Sequence, residues 1–170
     1  MILIRAIIAA GILSLVAASG CSGEVQQRSS GRILCNGWVA RVDPPDGTYA
    51  VVLDVVAFPQ YRLEMGQQGA AGSPADGLRF AKFGLLIRSG ANVEITMKPD
   101  PKLRAVMEWS PEKQGEPAER VVYGDCGEQG RDWLSFPGGM WVSGPGCYEV
   151  VVHSGAREEA VWVRVDSACG

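Results

Sequence analysis

The residues of this chain with chemistry in them are a histidine beside a serine, three carboxylates in one short segment, two tryptophans around a glycine pair, and the methionines. His153 is the single histidine, and Ser154 follows it. A nucleophilic serine needs an imidazole within hydrogen-bond reach, but neighbours on a strand project to opposite faces, so the pair is misplaced for a triad. No G-x-S-x-G elbow is present either, and His153 is expected as an exposed strand-end residue. Asp125, Glu128 and Asp132 could gather oxygens around Ca²⁺ on a flexible loop. Their spacing is not that of an EF-hand and Arg131 interrupts the charge, so a solvated loop is expected. Any two acids can meet as a glycosidase pair, and the order of residues singles out none. Met65, Met97, Met107 and Met140 with His153 would suit copper, yet Met97 and Met107 alternate as core residues do. Phe136-Pro137-Gly138-Gly139 is no phosphate loop, since no Lys follows and no helix begins. Its glycines are expected to bend or bulge a strand, with Trp133 and Trp141 packed nearby. In a functional version those two tryptophans form an aromatic platform for sugar or peptide. No catalytic residue, metal site or cofactor is assigned.

The cysteines carry more. Arg5 precedes an apolar run from Ala6 to Ala17, closed by Ala18-Ser19-Gly20-Cys21. A positive start, an apolar core and small residues before a cut define a secretory signal. A spanning helix needs about 20 apolar residues, and this run gives out at Ser19-Gly20. Ala18-x-Gly20 suits an ordinary signal peptidase, which leaves plain secretion as the alternative. Ser-Gly-Cys also resembles the bacterial lipobox, with Ala18 where a large aliphatic residue is usual. The chain has five cysteines, and lipidating Cys21 leaves an even set: Cys35, Cys126, Cys147 and Cys169. By that resemblance Cys21 carries at least two acyl chains, enough to hold a protein on a membrane. The protein is then anchored on the outer face of the cell membrane, and residues 21–31 are its lipid-anchored, flexible tether.

The full chain has 170 residues and a net charge of −3. Removing residues 1–20 takes one Arg and no acid, leaving 15 bases against 19 acids in 150 residues. That is one domain with room for a core. A mildly acidic chain without a basic cluster argues against a nucleic-acid partner and against electrostatic adhesion to anionic lipid. Four cysteines in an exported domain of this size are expected as two disulfides, with three connectivities open. No C-x-x-C spacing and one His are too little for the common zinc sets.

The elements that would position these residues are short strands. A first strand is expected within 33–42, stopped by Asp43-Pro44-Pro45-Asp46-Gly47. Tyr49 to Phe58 (YAVVLDVVAF) is apolar on both faces apart from Asp54 and reads as one central strand. Residues 60–77 read as a long surface loop without fixed structure. Ala81, Phe83, Leu85 and Ile87, then Val93, Ile95 and Met97, alternate with more polar neighbours across a turn at 89–92, giving a two-faced strand pair. Leu103 to Trp109, Arg120 to Tyr123, Trp133 to Val142, Cys147 to His153 and Ala160 to Val165 follow, separated by turns and a polar loop at 110–119. Tyr148, Val150 and Val152 share one face, as do Val161, Val163 and Val165. Eight or nine such strands without a helix describe an all-β, antiparallel, immunoglobulin-like sandwich over residues 32–170, with a small barrel as the runner-up. Cys147 faces away from the apolar side of its strand, so peripheral staples are expected, Cys126–Cys147 and Cys35–Cys169.

The order of Cys35, YAVVLDVVAF and Phe80 to Arg88 resembles a group of uncharacterised exported proteins and lipoproteins of actinobacteria. So do Cys126, Trp133-Leu134-Ser135-Phe136-Pro137-Gly138-Gly139-Met140-Trp141-Val142, Pro145-Gly146-Cys147 and Cys169. The resemblance spans most of residues 33–169; it implies export and disulfides and supplies no activity. The expected function is therefore that of a lipid-anchored binding or envelope-interaction module, with an envelope protein or glycan as partner. The alternatives are a small exported hydrolase using loop carboxylates and a purely structural envelope component.

Overall fold

The computed structural model describes residues 30–67, 77–109, 117–124, 126 and 132–169. Among them are twelve strands and no helix. They are β1 (Ser30–Arg32), β2 (Ala40–Val42), β3 (Tyr49–Val52), β4 (Val56–Pro59), β5 (Met65–Gln67), β6 (Arg79–Arg88), β7 (Val93–Met97), β8 (Ala105–Glu108), β9 (Arg120–Tyr123), β10 (Trp133–Val142), β11 (Gly146–Ser154) and β12 (Arg157–Val165). One sheet has the order β1-β9-β7-β11-β12. The other has β2-β10-β6-β4-β3, with β5 also paired to β6 and β8 to β10. All pairs are antiparallel except β1 with β9, so the first sheet is mixed.

Strand alternation builds the core between the sheets. Val93, Ile95, Met97, Val121, Tyr123, Tyr148, Val150, Val152, Val163 and Val165 come from the first sheet. They meet Val52, Val56, Phe58, Ala81, Phe83, Leu85, Ile87, Leu134, Phe136, Met140 and Val142 from the second, and all belong to one buried cluster. Each larger side chain removed from water contributes about 1.5–3 kcal/mol. Two edge-to-face ring pairs, Phe83–Trp109 and Tyr123–Phe136, lie inside it. Met97, Met107 and Met140 are core residues, which disposes of the copper set.

Several expectations are corrected. YAVVLDVVAF is not one strand: it folds back on itself as β3 and β4, and β3 lies at the sheet edge. Leu53 and Asp54 take left-handed conformations, φ 52° and 62°, and Val55 N–H donates to the Val52 carbonyl at 3.1 Å. Residues at these two positions ordinarily are Asn or Gly, so local sequence gives no sign of the turn. Side chains from β12 hold it: Leu53 N–H donates to Glu159 at 3.1 Å, and Arg157 donates to the Leu53 carbonyl at 2.9 Å. Ser30 and Gly31, expected in the tether, belong to β1. Within 60–77, Leu63 is buried and bridges to Val165, and β5 pairs with β6. Residues 68–76 of that stretch lie outside the described residues.

Gly138 and Gly139 make no bulge in β10 against β6, since the two stay in register over the whole length of β10. They are small because neighbours come close. A Cβ on Gly138 would stand 2.2 Å from the Glu108 carbonyl oxygen, and one on Gly139 2.2 Å from the Ala81 carbonyl oxygen. The four cysteines form two disulfides, but as Cys35–Cys126 and Cys147–Cys169. The expected pairing fails because β1 runs alongside β9, which brings the residues just beyond each, Cys35 and Cys126, together. Cys147 is likewise opposite Arg164, at the end of the β11–β12 ladder from which the chain continues to Cys169.

Candidate functional site

β7, β9, β11 and β12 of the first sheet each give one face to the core, so the other face is a polar surface arranged in cross-strand rows. Glu158, His153 and Glu94 make one row. His153 Nδ1 lies 3.3 Å from Glu158 Oε2, while the Ser154 hydroxyl donates to the Asn92 carbonyl at 3.1 Å. The adjacent Ser and His thus have separate partners and form no triad. Glu94 accepts from Arg120 at 2.5 Å. This bond, with the cation's charge and a smaller effect of His153, holds the Glu94 carboxyl below its usual range and raises Arg120.

Beyond the adjacent row of Ala160, Val151 and Thr96, the row nearer the other end of the sheet is different. Trp162 stands directly opposite Glu149, and Lys98, whose backbone N–H donates to the Glu149 carbonyl at 2.9 Å, places its ammonium 2.8 Å from the Glu149 carboxylate. Trp162 is 53% exposed. The row borders a cleft of about 310 Å³ that continues around the end of the sandwich to Leu78 and Val106, with Met97 and Tyr148 in its floor. The β7–β8 connection forms one wall with Pro99, Asp100, Leu103 and Arg104. Asp100 fixes this connection by accepting the N–H groups of Lys102 and Leu103 at 2.6 and 3.1 Å. Tyr148 donates to the Gly144 carbonyl at 2.6 Å. Burial raises its phenol above the ordinary value, and that hydrogen bond partly offsets the rise. Aromatic and aliphatic surface with a few convergent polar groups is what a ligand cleft requires.

The expected platform, Trp133 with Trp141, is not this site. The two point to the outer face of the second sheet, but both are buried, at 2% and 4% exposure. Trp133 packs with Ala57 and Leu86 under the Arg88 guanidinium, 5.1 Å from its ring. Trp141 packs with Leu78 and Phe80 and donates to the buried Glu108 carboxylate at 2.5 Å. Trp162 is exposed instead, as Tyr61 is elsewhere on the surface, and the alternation that puts Val161 and Val163 inward already turns Trp162 outward. Of the loop carboxylates, Asp125 and Glu128 lie outside the described residues, and Asp132 pairs with Arg41. Among the described residues no three His, Cys, Asp or Glu side chains gather as metal ligands do. Cys21 also lies outside the described residues. No protein-family model matches the chain, and no curated protein matches it.

Proposed function

We propose that the protein is an extracytoplasmic lipoprotein, held to the cell membrane through Cys21, whose immunoglobulin-like sandwich is a binding module working through the Trp162 cleft. The observation that carries this reading is the half-exposed indole in the wall of the cleft at the end of the sandwich, beside the Lys98–Glu149 pair. A tryptophan left in water forgoes the burial that Trp109, Trp133 and Trp141 obtain, and aromatic anchors of this kind dominate binding surfaces. Two disulfides accord with an oxidising compartment outside the cytoplasm, and the signal with its Ser-Gly-Cys end supports attachment there. The shifted groups of the cleft and its sheet are a buried phenol and an ion pair, an arrangement that suits recognition better than acid–base chemistry. Intact mass of the protein from its native membrane tests the anchor: a diacylated chain beginning at Cys21 is expected, and an unmodified Cys21 or a retained Met1 overturns it. Crosslinking in the native envelope followed by pull-down tests the module. A partner captured by the wild type and lost with Trp162→Ala is expected, and identical capture by both proteins overturns the cleft as its site.

A further inference from the structure

The cleft lies at the end of the sandwich from which the chain enters. β1 runs parallel to β9, with Ser30 opposite Arg120 and Arg32 opposite Val122. Arg120 pairs in turn with Thr96, near the end of β7 that leads to Lys98. β1 therefore starts at the end of the sheet carrying Lys98 and Glu119, both lining the cleft. From Cys21 to Ser30 is nine residues, which reach at most about 30 Å when fully extended and about 17 Å as a flexible chain. With Cys21 in the membrane, as in the function proposed above, the cleft is held at the membrane surface.

The chemistry of the cleft narrows what it takes. Its charged lining residues are Lys98 and Arg104 against Asp100, Glu119 and Glu149, so it offers no net attraction to a phosphate or other anion. Lys98 and Glu149 neutralise one another, yet together present donors and acceptors beside the indole. An uncharged ring with one apolar face and hydroxyls around its rim fits that set: C–H groups stack on the indole while hydroxyls bond to carboxylate and ammonium. A volume near the lower limit of ligand pockets holds about one or two such rings. We infer that the Trp162 cleft binds a neutral sugar presented at the membrane surface, with Trp162 as the stacking residue and Glu149 and Lys98 as the hydroxyl partners.

The test uses the full lipidated chain, labelled with 5-fluorotryptophan, in phosphatidylcholine nanodiscs. Its ¹⁹F resonance for Trp162 is assigned by loss in Trp162→Phe. Titrations use free N,N′-diacetylchitobiose and maltose, and nanodiscs carrying a dihexosyl diacylglycerol. A saturable shift of the Trp162 resonance with free sugar is expected in the millimolar range, at least about tenfold tighter for the lipid-linked sugar through local concentration. Trp162→Ala should abolish sugar binding to the protein, and Glu149→Ala or Lys98→Ala should weaken it about three- to tenfold. Absence of a Trp162 shift with every sugar, or sugar binding unchanged in Trp162→Ala, overturns the inference. A shift with free sugar but none with glycolipid overturns membrane presentation alone. A shift with a tetra-alanine peptide in place of the sugars overturns the sugar assignment and leaves the binding-module reading standing.

Discussion

Replacing Cys35 and Cys126 together by alanine opens the larger of the two covalent loops, and its effect follows from the loop sizes. The crosslinked residues are 91 apart for Cys35–Cys126 and 22 apart for Cys147–Cys169. Loop-closure entropy gives about 4.6 kcal/mol for the first and about 3.4 kcal/mol for the second at 25 °C. The 22-residue loop lies wholly outside the 91-residue one, so the two losses should add within about 0.5 kcal/mol. For a domain of this size they correspond to falls in melting temperature of about 9–18 °C and about 7–14 °C. Differential scanning calorimetry under non-reducing conditions measures both. Thiol titration of the denatured variants supplies the check on connectivity. Cys35→Ala with Cys126→Ala removes one complete pair and should leave no free thiol in the chain lipidated at Cys21. Cys126→Ala with Cys147→Ala removes half of each pair and should leave two thiols, unless Cys35 and Cys169 find one another. Two thiols in the first variant and none in the second would refute the pairing. An equal loss of stability from both pair deletions would refute the loop-entropy reasoning.

Other expectations follow from single contacts. Glu94→Gln removes the carboxylate that Arg120 holds below its usual pKa, a partly exposed pair worth about 0.5–1 kcal/mol. A depressed folded-state pKa contributes stability above the unfolded value and loses it as pH falls through the folded one. The variant should therefore be weaker in urea at pH 7 and indistinguishable once the pH is well below 4.5, the ordinary carboxyl value. Gly138→Ala and Gly139→Ala force a Cβ onto fixed backbone oxygens; each should cost about 1–3 kcal/mol, read from the urea midpoint. Trp141→Phe keeps the ring packing but leaves the Glu108 carboxylate buried without its indole donor. A loss of about 2 kcal/mol or more is expected, partly restored by adding Glu108→Gln, as measured in a double-mutant cycle. Tyr148→Phe removes the hydroxyl that donates to Gly144 and should cost about 1 kcal/mol by the same measurement.

What the sequence by itself determined is what alternation and composition encode. Period-two runs mark which side chain of β6, β7, β11 and β12 faces inward, because a one-residue slip would turn every apolar side chain outward. Turn residues mark most strand ends, and the even cysteine set marks two disulfides. Trp162, on the polar face of β12, was legible as outward-facing by the same rule, though nothing in the run marks it as a cleft wall. The rest belongs to tertiary structure. Leu53-Asp54 becomes a turn only because Arg157 and Glu159, over a hundred positions away, satisfy its backbone. Trp133 and Trp141 look like a platform in the chain and are buried in the fold, since residues of neighbouring strands close over them. Disulfide partners were decided by the parallel docking of β1 on β9 and by the register of β12 on β11. That same docking of β1 puts the cleft at the end where the tether enters. Contacts between distant strands carry no local pattern, and they alone determine which surfaces remain open.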